Sequence, residues 1–197
     1  MDHSKTRRLT ELALFTAIVV VLQVISTLVK FGPFSITLTL VPIVVGAAIY
    51  GPKTGAYLGG VFGLVATVAS ITGMDPGGAL YWNAQPFFTV LVIMAKGILA
   101  GLIAGLIYQV LKKHQTAAAV VAAILCPVVN TGIFLLGTFT LFYDLLLTMA
   151  GGTNVIVFAL TGLLGWNFIV EFLVSLVLGP VIVRIVNAHG DLNLRRS

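Results

Sequence analysis

Residues 87–113 read FFTVLVIMAKGILAGLIAGLIYQVLKK, and this stretch decides the fold. From Phe87 to Leu111 it is apolar but for a few positions. About 20 such residues in a helix cross the hydrocarbon core of a bilayer. Lys112 and Lys113 close it, as basic residues do where a helix leaves a membrane on the cytoplasmic side. Gly97, Gly101 and Gly105 recur every four residues inside it and make one smooth helix face.

Five more apolar stretches lie on either side. The six run roughly over 9–29, 35–50, 54–72, 87–111, 116–142 and 155–186. The second is short for a full span and contains Pro42, so a tilted or broken helix or a thinned bilayer is expected there. With 59% hydrophobic and 9% charged residues, against roughly 25% charged in soluble domains, the chain cannot cover itself against water. Residues 1–197 are expected to form one all-α membrane domain, a bundle of six transmembrane helices, and no cleavable signal peptide is read at its start.

Orientation follows from Lys and Arg. Lys5, Arg7, Arg8, Lys53, Lys112, Lys113, Arg184, Arg195 and Arg196 fall on one side of a six-span arrangement, and only Lys30 on the other. Both termini are therefore expected in the cytoplasm. The net charge of +5 has the same origin and does not point to nucleic acid.

A second glycine row, Gly51, Gly55, Gly59 and Gly63, suits packing within the bundle. Ala13 and Ala17 form a smaller patch on the first helix, suited either to internal packing or to docking against another membrane protein. The outer loop 73–86, GMDPGGALYWNAQP, combines turn formers with Tyr81, Trp82, Asn83 and Gln85. Trp82 and Trp166, each followed by asparagine, suit membrane anchoring or the capping of a small polar ligand.

Four polar residues lie deep in apolar stretches. Lys96 is roughly 14 Å from the outer end of the fourth, at 1.5 Å per residue. Asn130 is near the middle of the fifth, Glu171 in the sixth, and Asn167 one turn before Glu171 on the same face. Such groups are costly in lipid unless paired or hydrated. Lys96 and Glu171 either neutralise each other or line a water-filled outer pocket with Asn130, Asn167 and Trp166. Gln23 is expected to satisfy a neighbouring group.

Several chemistries fall away. GAAIYGPKT at 46–54 nearly spells a phosphate-binding loop, but Pro52 breaks the pattern and no strand precedes it. His3, His114 and His189 form no metal cluster, and Cys126 lies alone in an apolar stretch. No nucleophile–base arrangement is present, so neither an enzyme nor a metal or cofactor site is expected.

The chain resembles the substrate-binding S components of energy-coupling factor (ECF) vitamin transporters. The resemblance rests on its length, the six spans with both ends inside, the Ala13–Ala17 patch after a basic N-terminus, TLTLVPIVVGAAIYGPKTGAYLGGVFGLV at 37–65, and KGILAGLIAGLIYQVLKK at 96–113. It implies a multi-pass subunit of the cell membrane that captures a vitamin from outside, with the pocket on the last three spans and outer loops. It also implies a transmembrane coupling subunit, docked at Ala13 and Ala17, and two ATPase subunits. GWNFIVEF at 165–172 resembles pantothenate-type members; niacin, folate and riboflavin fit the same frame. An ion-coupled secondary transporter is the rival class, opposed by the lack of inverted repeats. The expected binding set is Trp82, Asn83, Gln85, Lys96, Asn130, Trp166, Asn167 and Glu171.

Overall fold

A computed structural model of the protein describes residues 3–28, 30–31, 34–35, 38–165, 168–175, 177 and 184. The first helix, α1, spans His3–Leu28. A two-residue antiparallel hairpin follows, β1 (Lys30–Phe31) on β2 (Phe34–Ser35), and leads into α2, Leu40–Tyr50. Then come α3 (Pro52–Ile71), α4 (Pro76–Ala84), α5 (Pro86–Val110), α6 (Gln115–Leu141) and α7 (Tyr143–Ala150). A short α8, Val155–Phe158, runs on into a π-helical turn, Ala159–Leu164, and residues 168–175 are again helical.

The starts and stops have local causes. Pro52, Pro76 and Pro86 each stand in the first turn of their helix, where the missing N–H is not needed. Gly51 joins α2 to α3 with φ +93°, a left-handed conformation that suits glycine, and its N–H donates to the carbonyl of Ala47. The stretch that mimics a phosphate loop is thus a helix–helix junction. The expected loop 73–86 is folded further than its turn formers suggest, since it contains α4.

Among the described residues, four helices are long and apolar enough to cross a bilayer: Thr6–Leu28, Pro52–Ile71, Pro86–Val110 and Gln115–Leu141. A fifth arises if Tyr143–Ala150 and Val155–Leu163, which meet at 89°, count as one broken span. At about 16 Å, from 1.5 Å per residue, α2 is too short for an unaided crossing. Apart from the short β1–β2 hairpin, the regular structure of the described residues is helical, and the long apolar helices make this a multi-pass membrane protein.

The centre is the antiparallel pair α3 and α5, which share the most extensive interface among the described elements. Their glycine rows face each other. A Cβ on Gly55 would stand 2.8 Å from the carbonyl carbon of Gly101, and one on Gly105 would stand 2.5 Å from Cα of Pro52. Helices α1, α2 and α6 pack around this pair over Val19, Ile43, Leu58, Phe62, Ala104 and Cys126. Ala13 and Ala17 do not join that packing, and both are exposed on α1. At the basic end of α1, Glu11 pairs with Arg7 at 2.8 Å and accepts a hydrogen bond from the Tyr50 hydroxyl.

Candidate functional site

Away from Lys53, Lys112 and Lys113, the helices part around a cavity with about 880 Å³ of atom-free space, its mouth included. The wall is formed by the second halves of α1, α3 and α6, the first half of α5, one side of α4, and Leu163, Phe168 and Glu171.

Apolar positions supply most of the wall because the interior faces of these helices are apolar. Phe62, Ala66, Val92 and Ile93 all belong to it. Several polar neighbours are already satisfied. Ser70 donates to the carbonyl of Ala66 at 2.9 Å and Thr89 to that of Gln85 at 2.9 Å. The amide oxygen of Gln23 accepts from Thr39 at 3.0 Å, as expected, while Gln23 also lines the cavity.

Three of the expected polar residues converge here. The Nζ of Lys96 stands 5.7 Å from the centre of the Phe62 ring and 5.4 Å from that of Phe134. Two aromatic faces thus flank the ammonium and partly compensate its removal from water. Glu171 and Asp75 lie within its electrostatic reach. Glu171 is 7% exposed and Asn130 is 3% exposed. Among the described residues, Oδ1 of Asn130 is a buried polar atom with no hydrogen-bond partner. An unmatched buried oxygen costs about 1–3 kcal/mol, so a water or ligand donor is the natural complement.

Phe134 is itself held in place. Tyr81 of α4 packs on it with ring centres 5.4 Å apart and meets Phe142 edge-on at 4.9 Å. The Tyr81 hydroxyl lies 3.1 Å from Thr138 Oγ1, and burial pushes its pKa up to about 12, so it is neutral at physiological pH. Gly78 brings α4 close to α3: a Cβ there would meet Ser70 Cβ at 2.9 Å.

The remaining expected residues are placed differently. Trp82 is half-buried on α4, Asn83 and Gln85 are exposed, and none of the three lines the cavity. Trp166 and Asn167 lie outside the described residues. Conversely, Asp75, Tyr81, Phe62 and Phe134 line the cavity although they are absent from the expected binding set. Only the run of aromatic and polar residues in GMDPGGALYWNAQP hints at the first two. Among the described residues no three His, Cys, Asp or Glu side chains gather to hold a metal ion.

Comparison with known proteins adds two findings. A family profile described as the substrate-specific component of ECF transporters matches residues 7–183. The pantothenic acid transporter PanT of Lactococcus lactis subsp. cremoris (strain MG1363) is 27% identical over 194 residues, covering 93% of this chain and 95% of that protein.

Proposed function

The chain belongs to the substrate-specific component family of ECF transporters, and on that premise we propose that it is the high-affinity pantothenate-binding subunit of an ECF-type importer. It is a transport subunit and not an enzyme. The pantothenate assignment draws on the similarity to PanT along nearly the whole chain. The observation that carries it is Lys96, an ammonium between two aromatic rings, sharing one cavity with the unmatched Oδ1 of Asn130.

Pantothenate offers a carboxylate, an amide and two hydroxyls on a branched apolar body. In this reading Lys96 takes the carboxylate and Asn130 accepts from a hydroxyl or the amide N–H. Phe62, Phe134 and Val92 cover the apolar body. Glu171 orients Lys96 or accepts a hydroxyl. Trp82, Asn83 and Gln85 contribute at the outer rim, and Trp166 and Asn167 from the last span.

The same reading makes residues 1–197 one domain of six spans with both termini in the cytoplasm. The spans are α1, α2, α3, α5, α6 and the segment from Val155 onward, with the cavity facing outside. The uneven distribution of Lys and Arg supports this orientation. The exposed Ala13 and Ala17 offer a smooth face of α1 to a transmembrane coupling subunit, which with two ATPase subunits drives release inside.

Among the described lining residues, two carboxyl groups and one lysine favour a second reading, in which the ligand is a neutral or cationic vitamin. Calorimetry on the detergent-purified protein with pantothenate, niacin, riboflavin, folate and thiamine separates the two. Pantothenate is expected to bind tightly and the others not; tight binding of another vitamin with none of pantothenate overturns the assignment. Uptake by the purified protein alone in liposomes would replace the importer reading by an ion-coupled transporter.

A further inference from the structure

Gln23 stands on α1, apart from the last three spans on which the family resemblance puts the pocket, yet it lines the cavity. It lies about 8 Å inside the outer end of α1, at 1.5 Å per residue, and is 6% exposed. Its surroundings hold it in one orientation. Thr39, fully buried just before α2, donates to its Oε1 at 3.0 Å. One turn on, Ser26 Oγ accepts from the Leu38 N–H at 3.3 Å, so the end of α1 is tied at two points to the turn before α2. Among the described residues the bond from Thr39 is the one side-chain hydrogen bond of Gln23, and it uses the oxygen alone. The two N–H donors of the amide remain, on a side chain that lines the cavity. A tie to Thr39 needs only an acceptor. A carboxamide adds two donors that are costly in an apolar helix unless something accepts from them.

Asn130 presents the opposite polarity. Its Oδ1 is buried and, among the described residues, meets no donor. Gln23 and Asn130 reach the cavity from different walls, since α1 packs chiefly on α3 and α6 chiefly on α5. A planar trans secondary amide carries its C=O and N–H on opposite edges, so it can accept from one wall while donating to the other. We propose that Gln23 is a specificity-determining residue of the pocket, its Nε2 donating to the amide carbonyl of the ligand while Oδ1 of Asn130 accepts from the amide N–H. The pocket thereby reads a secondary amide, and the ligand carboxylate is left to Lys96. A ligand without the amide leaves both carboxamides unmatched, which is how buried polar groups reject an analogue. Thr39 is a positioning residue, which keeps the oxygen of Gln23 turned away and its N–H groups turned to the ligand.

The inference rests on the pantothenate reading, and two measurements on the intact purified protein separate them. Pantothenate isotope-labelled at its amide carbonyl is bound, and the C=O stretching band is read by infrared difference spectroscopy. In the wild type the band is expected at the frequency of a hydrogen-bonded carbonyl. It should move up in Gln23→Met, which keeps the side-chain length without the donors, and in Gln23→Asn, a carboxamide withdrawn by one methylene. A band at the frequency of an unbonded carbonyl in the wild type, or one that neither variant moves, overturns the inference. Calorimetry then compares pantothenate with its thioamide, in which sulfur, a weaker acceptor, replaces the carbonyl oxygen. Gln23→Met is expected to weaken pantothenate about tenfold and the thioamide much less. Equal weakening of both, the result for a residue that merely ties α1 to α2, overturns the inference and leaves the functional reading intact. Absence of pantothenate binding by the wild type, with another vitamin bound, removes both.

Discussion

Gly59 of α3 and Gly97 of α5 meet backbone to backbone. A Cβ on Gly59 would stand 2.6 Å from the carbonyl carbon of Gly97, and one on Gly97 would stand 3.2 Å from that of Gly59 and 2.8 Å from the Phe62 ring. Backbone cannot yield as a flexible side chain can, so added volume here forces the helices apart. Gly59→Ala and Gly97→Ala should each destabilise the protein by about 1–3 kcal/mol or more. Gly132 on α6 has open space where a Cβ would project, with nothing within 4 Å, and Gly132→Ala should be neutral or slightly stabilising. Melting temperatures in detergent separate the two classes.

Asn130 should behave in the opposite way. Because its Oδ1 is buried and unmatched, Asn130→Leu removes a desolvation cost from the empty protein. The melting temperature without vitamin is expected to hold or rise, while vitamin affinity weakens by about 1–3 kcal/mol. An unchanged affinity would remove Asn130 from the binding set.

Lys96 and Glu171 lie in one electrostatic neighbourhood. Lys96→Met alone removes the ammonium from the neighbourhood of Glu171 and Asp75. A loss of up to about 3 kcal/mol is expected, the low end for a broken buried pair because Lys96 is only half-buried. Adding Glu171→Gln should restore most of the stability but not pantothenate binding. Additive losses in the double variant, measured by thermal melting, would show that the two residues act independently.

Ala13→Trp and Ala17→Trp address the outer face of α1. Both side chains are exposed, so the isolated subunit should fold and bind vitamin normally. Copurification with the coupling subunit and ATPases should be lost, since close helix approach needs small residues. Normal copurification of both variants would move the docking face elsewhere.

Much of this molecule is legible in its sequence because a membrane makes polarity expensive. Lys96, Asn130 and Glu171 stand out as interruptions in apolar stretches, and all three line one cavity. The glycine rows are legible for a related reason, since a fourfold spacing of the smallest residue has no purpose except a smooth helix face. The helix α4 is hidden because Pro76, Gly77 and Gly78 spell a turn by local propensity. It forms because Tyr81 finds Phe134 and Phe142 and because Gly78 fits against Ser70. Phe62 and Phe134 are indistinguishable in sequence from other aromatic residues, as their part depends on which helices meet in space. The exposure of Ala13 and Ala17 does not follow from spacing alone, because internal and external packing favour the same small residues.

The glycine contact between α3 and α5 also bears on how such a protein can change its diet. The rungs from Gly55–Gly101 to Gly105–Pro52 sit toward the basic end, while the cavity wall lies at the other. Mutational load is therefore unevenly distributed: a fixed chassis below, a replaceable lining above. Exchanging Asn130, Thr131, Phe134 or Ile93 for other side chains leaves every rung in place, so new cargo preferences can be sampled without refounding the bundle. Lys96 is the exception, one residue from Gly97 and beside Phe62, which packs on it. A change of ligand charge is thus the evolutionary step with the narrowest passage.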